Sequence, residues 1–440
     1  MGNLSNKAKV TLPEFQKFLL EHKLVPAKNV AFFAYWVSRF LDYARKRDPS
    51  ATEYHESAVI EFLDVLRSEK RIQDWQHRQA DDAIRLYYFH YLGTKGNRSL
   101  GGDIPADVPG TLQEIKRLIR LRHYSYSTER TYLQWVERFL AYALKPERKI
   151  AELSSEDFKN FLSHLALKRK VSASTQNQAF NAILFLFRYV FHTEPENLSN
   201  TVRAKRGIRL PTVLSIDEVK AIFNHMSGPN LLITELLYGC GLRLMELCRL
   251  RVKDIDFAAN TIFVRSGKGD NDRSTMLPSA VKKRLQKHLE GVKHQHEYDL
   301  ARGHGETYLP DALGRKYPNA GREWGWQYVF PSSKLSVDPR SGKIGRHHIS
   351  GKTVQVAVRN AVKKAGLAKH ATVHTFRHSF ATHLLQNGVN IREVQSLLGH
   401  KNVETTMIYT HVMRDMTTAP KSPLDLLLEG SPTFAGSGDV

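Results

Sequence analysis

Cysteine is scarce in this sequence, and long apolar runs are missing from it. The chain has 440 residues and two cysteines, Cys240 and Cys248. A secretory leader needs an apolar core that the opening MGNLSNKAKVTLPEF lacks, and a membrane helix needs about 20 mostly apolar residues in a row. The two cysteines lie in a helix-like stretch, about 12 Å apart along a helix, which is too far for a disulfide. We therefore expect a protein of the reducing cytoplasm with two buried thiols.

Acidic side chains are also in short supply. Lys and Arg number 65 against 44 Asp and Glu, a net charge of +21. Such a surplus favours a polyanion as partner, and nucleic acid is favoured because no Lys-rich membrane anchor or lipidation motif is visible. Residues 1–107 carry 16 basic and 14 acidic side chains, whereas residues 108–209 carry 18 and 9. The nucleic-acid site is therefore expected after residue 107.

No nucleotide-binding or metal-binding pattern stands out. The phosphate loop GxxxxGK[ST] is missing from the sequence. His294 with His296, or the pair His347 and His348, could begin a zinc site, but zinc needs further Cys, His or Asp ligands at a suitable spacing. With 20 histidines in the chain, neighbouring pairs are expected by chance. We expect no cofactor and no metal.

The first part of the chain contains an internal repeat with an offset of 99 residues. YWVSRFLDYARK (35–46) aligns with QWVERFLAYALK (134–145), so that Trp36 matches Trp135 and Arg39 matches Arg138. A shared amphipathic pattern alone would produce fewer identical residues than the alignment of the two copies contains. We interpret the repeat as the duplication of a small helical module.

The second copy has apolar residues at helical spacing in four stretches. These predict helices over 110–122, 127–144, 155–168 and 173–192, with Thr128 and Ser154 as candidate N-caps. The predicted organisation is an extra helical module (1–95), a Gly- and Pro-rich linker (96–109), a second helical domain (110–198), a basic linker (199–212), a third domain (213–425) and a tail (426–440).

The basic linker is a candidate DNA contact. It follows Glu196 and reaches Asp217 without an acidic residue between them. A solvated loop is the alternative interpretation, but the overall charge favours a segment that lies along phosphates. Its basic residues are Arg203, Lys205, Arg206 and Arg209.

The third domain begins with a helix signature and continues into a hairpin. Ser215 precedes an acidic first turn and predicts an N-cap. TIFVRS (261–266) and RSTMLP (273–278) flank a Gly-rich turn and predict a β-hairpin. The remainder to about residue 413 reads as mainly helical.

Six residues of this domain could carry phosphoryl-transfer chemistry. His374 and Arg377 are three apart and would share a helix face. Arg243 follows a Gly-containing turn among apolar residues and needs an anion, for which Glu246 is the local alternative. The other members are Lys268, His400 and Tyr409.

These residue types suit attack on a phosphodiester without a metal. Two arginines can stabilise the charge of a pentacoordinate phosphorus. A tyrosine can attack and form a covalent intermediate, while lysine and histidines move protons. Because the ordinary pKa of tyrosine is about 10, we expect nearby positive charge to activate the phenol.

In this order, with LLGH before the tyrosine, the six residues resemble the tyrosine recombinase family over 108–425. The resemblance implies that Tyr409 is the nucleophile, that Arg243 and Arg377 bind the scissile phosphate, that Lys268 is the general acid, and that His374 and His400 assist. It also implies a mainly α, multidomain fold with helical core-binding modules and an α+β catalytic domain holding a small antiparallel sheet. A tetramer on two DNA sites is expected, with KSPLDLLLEG (421–430) docked on a neighbour.

A narrower resemblance is to integron integrases. It rests on 122–139, 174–190, 202–214 and an added segment at about 294–332. In integron integrases this segment contacts bases extruded from folded, single-stranded attC sites, so attI duplexes and folded attC sites are the expected DNA partners. Asn271 departs from the family, which usually has lysine there, and residues 1–107 have no counterpart.

The added segment mixes aromatic and basic side chains, as contacts with unpaired bases require. An aromatic mini-core is the alternative, and we expect it for Trp326, Tyr328 and Phe330. The side chains predicted to contact DNA are His304, Pro318, Arg322 and Trp324, together with Arg120 and Arg122 of the second helical domain.

Two other classes stay open on the sequence alone. One is a phage-type integrase or type IB topoisomerase that acts on duplex DNA, and the other is a DNA-binding protein without catalysis. The nearly neutral residues 1–107 suggest a contact with protein, such as a neighbouring subunit, or a weak contact with an outer DNA arm.

Overall fold

The computed structural model describes two compact units, Met1–Gly207 and Ile208–Val440. The described residues are 12–22, 24–47, 55–69, 72–92, 104–122, 124–193, 195, 211–265, 272–309, 311–339 and 341–417. Among them, no helix is long and apolar enough to cross a membrane. Cys240 and Cys248 are free and buried, as predicted.

In its described residues, the first unit holds two modules of four α-helices each. Amphipathic spacing directs one stripe of every helix to a module core, built on Phe15, Phe40 and Phe62 in the first module and on Phe139 and Phe158 in the second. The helices are α1 (Pro13–Glu21), α2 (Val30–Arg47), α3 (Glu56–Ser68), α4 (Asp74–Arg85), α5 (Val108–Leu121), α6 (Tyr126–Ala143), α7 (Ser155–Ser163) and α8 (Ala173–Tyr189).

One predicted helix cap is wrong and the other is confirmed. Ser125, and not Thr128, caps α6, because its hydroxyl accepts the amide of Thr128 at 3.1 Å. A serine at position 125 can satisfy the first free amides of the helix as well as a threonine at position 128 could. The spacing of the apolar residues therefore does not distinguish these two candidate caps. Ser154 caps α7 in a capping box with Asp157.

The two modules repeat the same side-chain contacts. The guanidinium of Arg39 lies 5.7 Å from the ring centroid of Trp36, and that of Arg138 lies 5.0 Å from the ring of Trp135. Edge-on phenylalanine pairs also recur at 5.4 and 5.6 Å, namely Phe40 with Phe62 and Phe139 with Phe161. Shared packing at matching positions supports a duplication over a mere likeness of amphipathic pattern.

The second unit combines nine α-helices in its described residues with two small sheets. Ser215 caps the first helix, as predicted. The elements are α9 (Ile216–Asn224), α10 (Gly228–Gly239), α11 (Leu244–Cys248), β1 (Ile255–Asp256), β2 (Thr261–Val264), β3 (Arg273–Met276), α12 (Ser279–Ala301), α13 (Asp311–Lys316), β4 (Ser336–Val337), β5 (Ile344–Gly345), α14 (Gly351–Lys364), α15 (Val373–Gln386), α16 (Ile391–Leu398) and α17 (Glu404–Thr417).

The predicted hairpin is present and belongs to a three-stranded antiparallel sheet in the order β1-β2-β3. Ile262 pairs with Ile255 on one side and with Thr275 on the other. The sequence analysis missed β1 because two residues carry no readable alternation. The mainly α fold with a small antiparallel sheet is confirmed.

Two apolar clusters organise the second unit. The larger runs from α9 through the sheet and α14 to the start of α15, and it includes Phe330 and Phe376. The smaller joins α15, α16 and α17 and contains Phe380, Leu398 and Tyr409. The candidate site lies where this smaller cluster meets the turn between α10 and α11.

Candidate active site

Tyr409 is both a packed aromatic and a hydrogen-bonded phenol. It lies on α17 with 2% of its surface exposed, in the cluster with Phe380 and Leu398. Its Oη lies 3.0 Å from Nδ1 of His378 on α15. Packing therefore fixes the ring, and the hydroxyl reaches the neighbouring helix.

Arg377 is held beside the tyrosine by backbone carbonyls. Its Nη1 donates to the carbonyl of Gly241 at 2.5 Å, and its Nη2 donates to that of Leu398 at 2.6 Å and lies 3.2 Å from Nε2 of His400. Gly241 has φ of +61°, and a Cβ there would strike the ring of Phe380. Burial, then Arg243, lowers the pKa of Arg377 to about 9, so the guanidinium stays charged at neutral pH.

Three arginines surround the buried carboxylate of Glu246. Arg243 donates its amide at 2.9 Å and its Nη1 at 2.6 Å, and Arg273 donates two nitrogens at 2.5 and 3.0 Å. Nη1 of Arg377 lies 4.0 Å from it. Burial alone would raise the pKa of Glu246, but hydrogen bonds from Arg273 and Arg243 lower it to about 2.

This cluster leaves an excess of positive charge. Three guanidinium groups face one carboxylate, a sum of +2, and Arg273 and Arg377 are both buried. Glu246 does pair with Arg243, as the local alternative predicted, yet it cannot balance all three. The cluster is suited to hold an anion such as a phosphate.

Two histidines adjoin the arginines. Nδ1 of His400 lies 2.9 Å from the hydroxyl of Thr406, and its ring stacks on that of Tyr409 with centroids 6.3 Å apart. Burial and then Arg377 and Arg243 lower the pKa of His400 to about 4. The pKa of His374 is also lowered, by desolvation and then by Arg377 and Arg243. Both rings are therefore neutral at neutral pH.

The pKa of Tyr409 moves opposite to the expected direction. Burial raises it above its ordinary value, and the opposing effect of Arg377 and Arg243 is smaller. The phenol thus keeps its proton in this arrangement. Its attack requires a group that takes the proton.

Some predicted residues lie outside the described part of the chain. Lys268 and Asn271, in the turn of the hairpin, are among them. So are KSPLDLLLEG (421–430) and the basic residues of the linker, Arg203, Lys205, Arg206 and Arg209. Their assignments stay predictions.

Arg251 holds the added segment against the rest of the second unit. Its Nη1 donates to the carbonyl of Trp326 at 2.5 Å, its Nη2 donates to that of Tyr308 at 2.8 Å, and it lies 4.4 Å from the ring centroid of Tyr328. Asp299 and Arg346 form a second, bidentate anchor at 2.5 and 2.9 Å. The described residues of segment 294–332 are therefore anchored to the rest of the unit at two points.

The predicted base contacts of this segment have different exposures. Pro318 and Arg322 are exposed, as DNA contact requires, whereas His304 is half-buried beside a small cavity with Asp299 and Arg346. Trp324 is half-buried, packs on the larger core and lies 6.2 Å from the ring of His296, so the mini-core alternative describes it better.

The aromatic residues expected to pack do so to different degrees. Tyr328 and Phe330 are buried, as expected. Trp326 is half-buried, with Nζ of Lys253 2.8 Å from its ring centroid.

Arg120 and Arg122 are engaged with carboxylates. Arg120 forms a bidentate pair with Glu129 at 3.1 Å. Arg122 is 8% exposed and donates to Asp81 at 2.7 Å and to Glu56 at 2.8 Å, both in the first module. This is not the placement expected of a phosphate contact, and it joins the two modules instead.

Replacing Arg122 by alanine is expected to loosen the contact between these modules. Burial alone would raise the pKa of Asp81, but Arg122 holds it below its ordinary value, so the variant removes the guanidinium partner of a buried carboxylate. The expected local destabilisation is about 3 kcal/mol. Hydrogen exchange of α4 and α5 should rise, whereas Arg117→Ala, which breaks an exposed pair with Glu114, should change it little. If Arg122 contacts DNA instead, the variant will lose DNA affinity with unchanged exchange.

Two family models and several curated proteins match this chain. Residues 212–415 match the phage integrase family, and residues 111–196 match the N-terminal SAM-like domain of phage integrases. An integrase/recombinase of Escherichia coli is 46% identical over 316 residues, which cover 72% of this chain and 93% of that protein. The tyrosine recombinase XerA of Pyrococcus horikoshii is 31% identical over 68% of this chain and 88% of its own length.

Solved structures were found at lower identity. XerH recombinase bound to a palindromic difH substrate has a TM-score of 0.47 and 18% identity over 88% of this chain and 93% of its own. A lambda integrase tetramer bound to a Holliday junction has a TM-score of 0.47 and 19% identity over 77% and 87%. The family match and the E. coli relative show that this chain belongs to the phage integrase family. It is a site-specific tyrosine recombinase.

The sequence analysis missed two members of the site. Arg273 lies on β3, where its Nε also donates to the carbonyl of Leu397 at 2.9 Å. His378 directly follows Arg377 and bonds the phenol of Tyr409. The RH dipeptide was visible, but only the packing of α15 on α17 gives the histidine a role.

Proposed function

We propose that Tyr409 attacks the scissile phosphodiester and becomes joined to a DNA 3′ phosphate. Arg243 and Arg377 bind the nonbridging oxygens, Lys268 protonates the departing 5′ oxygen, and His374 and His400 assist. The observation that carries this proposal is the placement of the Tyr409 phenol beside Arg377 and His400, next to an uncompensated guanidinium cluster. The phosphotyrosyl bond conserves the energy of the broken bond, so neither ATP nor a metal is required.

We also propose that the enzyme is an integron integrase that integrates and excises gene cassettes at attI and attC sites in the cytoplasm. The support is the resemblance of the added segment and the 47% exposure of Tyr317, next to exposed Pro318. An exposed ring can stack on an extruded base. By the same resemblance the enzyme works as a tetramer on two DNA sites. In this proposal 1–95 is an extra helical module, 110–198 is the core-binding domain and 213–425 is the catalytic domain.

Replacing Tyr317 by alanine is expected to weaken reaction with folded attC and to spare duplex attI. The measurement is the rate of covalent adduct formation on the folded bottom strand of attC and on an attI duplex. Because stacking on one base is worth about 1–3 kcal/mol, we expect a loss of about tenfold on attC.

The matched control is Tyr298→Ala. Tyr298 lies on α12, and 56% of its surface is exposed. Arg302 lies over the ring of Tyr298, just as Lys316 lies over the ring of Tyr317. This variant should retain both activities. An enzyme that makes adducts on duplexes and none on folded attC would contradict the integron assignment and favour a phage-type integrase.

A further inference from the structure

One histidine, His378, forms a hydrogen bond with the phenol of Tyr409 and has been given no role in the reaction proposed above. Nδ1 of His378 lies 3.0 Å from Oη, and the two ring centroids are 5.7 Å apart. His378 is half-buried on α15, one residue after Arg377. A proton acceptor must lie within about 2.6–3.2 Å of the group that it deprotonates, and His378 meets this condition.

The other two histidines are placed differently. Both ring nitrogens of His400 are engaged, Nδ1 with Thr406 at 2.9 Å and Nε2 with Arg377 at 3.2 Å. The side chain of His374 is exposed at the start of α15. Among the described residues, His378 is therefore the ring positioned to receive the phenol proton.

We propose that His378 is a catalytic residue that takes the proton of Tyr409 as the tyrosine attacks DNA. The proposal rests on the proposed function, in which Tyr409 is the nucleophile. The Oη–P bond forms and the bond from phosphorus to the 5′ oxygen breaks. The phenol proton moves from Oη to Nδ1 of His378, and the 5′ oxygen receives a separate proton from Lys268. On religation His378 returns its proton to the departing phenolate.

The surroundings of His378 are consistent with an acceptor. His374 and Arg377 face it from its own helix, His400 from the turn before α17, and Tyr409 from α17 itself. Burial, then His374 and Arg377, lowers the pKa of His378 to about 4, so the ring is neutral and can hold a lone pair on Nδ1. When DNA is present, a phosphate bound to Arg377 adds negative charge nearby and raises the basicity of the His378 ring.

The test separates proton acceptance from mere positioning. In His378→Asn an amide oxygen can accept the phenol hydrogen bond but cannot take the proton. The control is His383→Asn on the same helix, because His383 bonds the hydroxyl of Tyr238 at 2.8 Å in the same way, away from the site. Full-length variants are compared by single-turnover adduct formation on nicked attI duplex and nicked folded attC. Each DNA is used with an oxygen or a sulfur at the 5′ bridging position, because a thiolate leaves without a proton.

The expected result is a loss of about 100-fold for His378→Asn on both the oxygen and the sulfur substrates. The rate of adduct formation by His383→Asn should stay within about threefold of the wild-type rate. Lys268→Ala, which lacks the general acid, should regain adduct formation on the sulfur substrates. Near-normal cleavage by His378→Asn would reduce the hydrogen bond to positioning and overturn the proposal. Recovery of His378→Asn on sulfur would overturn it too, because His378 would then serve the leaving group. Absence of any wild-type adduct, or an adduct formed by Tyr409→Phe, would instead refute the proposed function.

Discussion

Replacing Tyr409 by phenylalanine is expected to abolish the covalent DNA adduct while the fold is retained. The ring, which packs in the cluster of α15, α16 and α17, is unchanged by this substitution. The lost hydroxyl takes with it one hydrogen bond, to His378, which costs about 1 kcal/mol. DNA binding should persist because the arginine cluster is intact. The measurement is a denaturing gel of the protein with nicked DNA, which should show no adduct for the variant.

Tyr238→Phe is the matched control for this experiment. Tyr238 also donates or accepts a hydrogen bond with a histidine of α15, His383, at 2.8 Å. Its variant loses an equivalent bond and should form the adduct at the wild-type rate. Equal loss in both variants would show that the phenylalanine substitutions act through the packing of α15, which would contradict a nucleophilic role for Tyr409.

Glu246→Gln is expected to have the largest effect on stability. The carboxylate is 8% exposed and neutralises part of the charge of Arg243, Arg273 and Arg377. Since its pKa is about 2 in the folded protein, against an ordinary value of 4.5, its ionised form stabilises the fold by about 3 kcal/mol. Glutamine keeps the shape and removes the charge. The measurement is hydrogen exchange across α11 and β3, which should rise strongly.

The pH dependence of this effect has a definite sign. A lowered carboxyl pKa contributes stability that is fully present above about pH 4.5 and is lost as the pH falls through about 2. The difference between wild type and Glu246→Gln should therefore be constant near neutrality and narrow on acidification. Glu306→Gln, which breaks an exposed pair with Lys343, should cost less than about 0.5 kcal/mol at any pH. A difference between wild type and Glu246→Gln that does not change with pH would show that the charge of Glu246 is not its source.

The helices and the hairpin could be predicted because their causes are local. Apolar spacing placed the four helices of the second module within about five residues of their observed bounds. The duplication was visible at Trp36 and Trp135, and the same residues make the same cation–π contact in both modules. The candidate site residues Arg243, Arg377, His400 and Tyr409 could be predicted because their order along the chain is distinctive.

The errors have long-range causes. Arg122 was predicted to bind phosphate because it is a basic side chain in a basic part of the sequence. Its partners Asp81 and Glu56 are 41 and 66 residues away in sequence, and only the packing of the modules brings the three residues together. The arginines were expected to lower the pKa of Tyr409. Burial in the cluster of α15 and α17 raises that pKa by more than the arginines lower it. Trp324 was assigned to DNA, yet it packs on the core.

Mass spectrometry of the covalent adduct can identify the residue that forms the bond with DNA. Wild-type enzyme is trapped on nicked DNA, digested with protease and nuclease, and fragmented to locate the residue that carries the nucleotide. We predict a 3′-phosphotyrosyl linkage at Tyr409, in the segment TTMIYTHV. A nucleotide found on any other tyrosine, or on a serine, would contradict it.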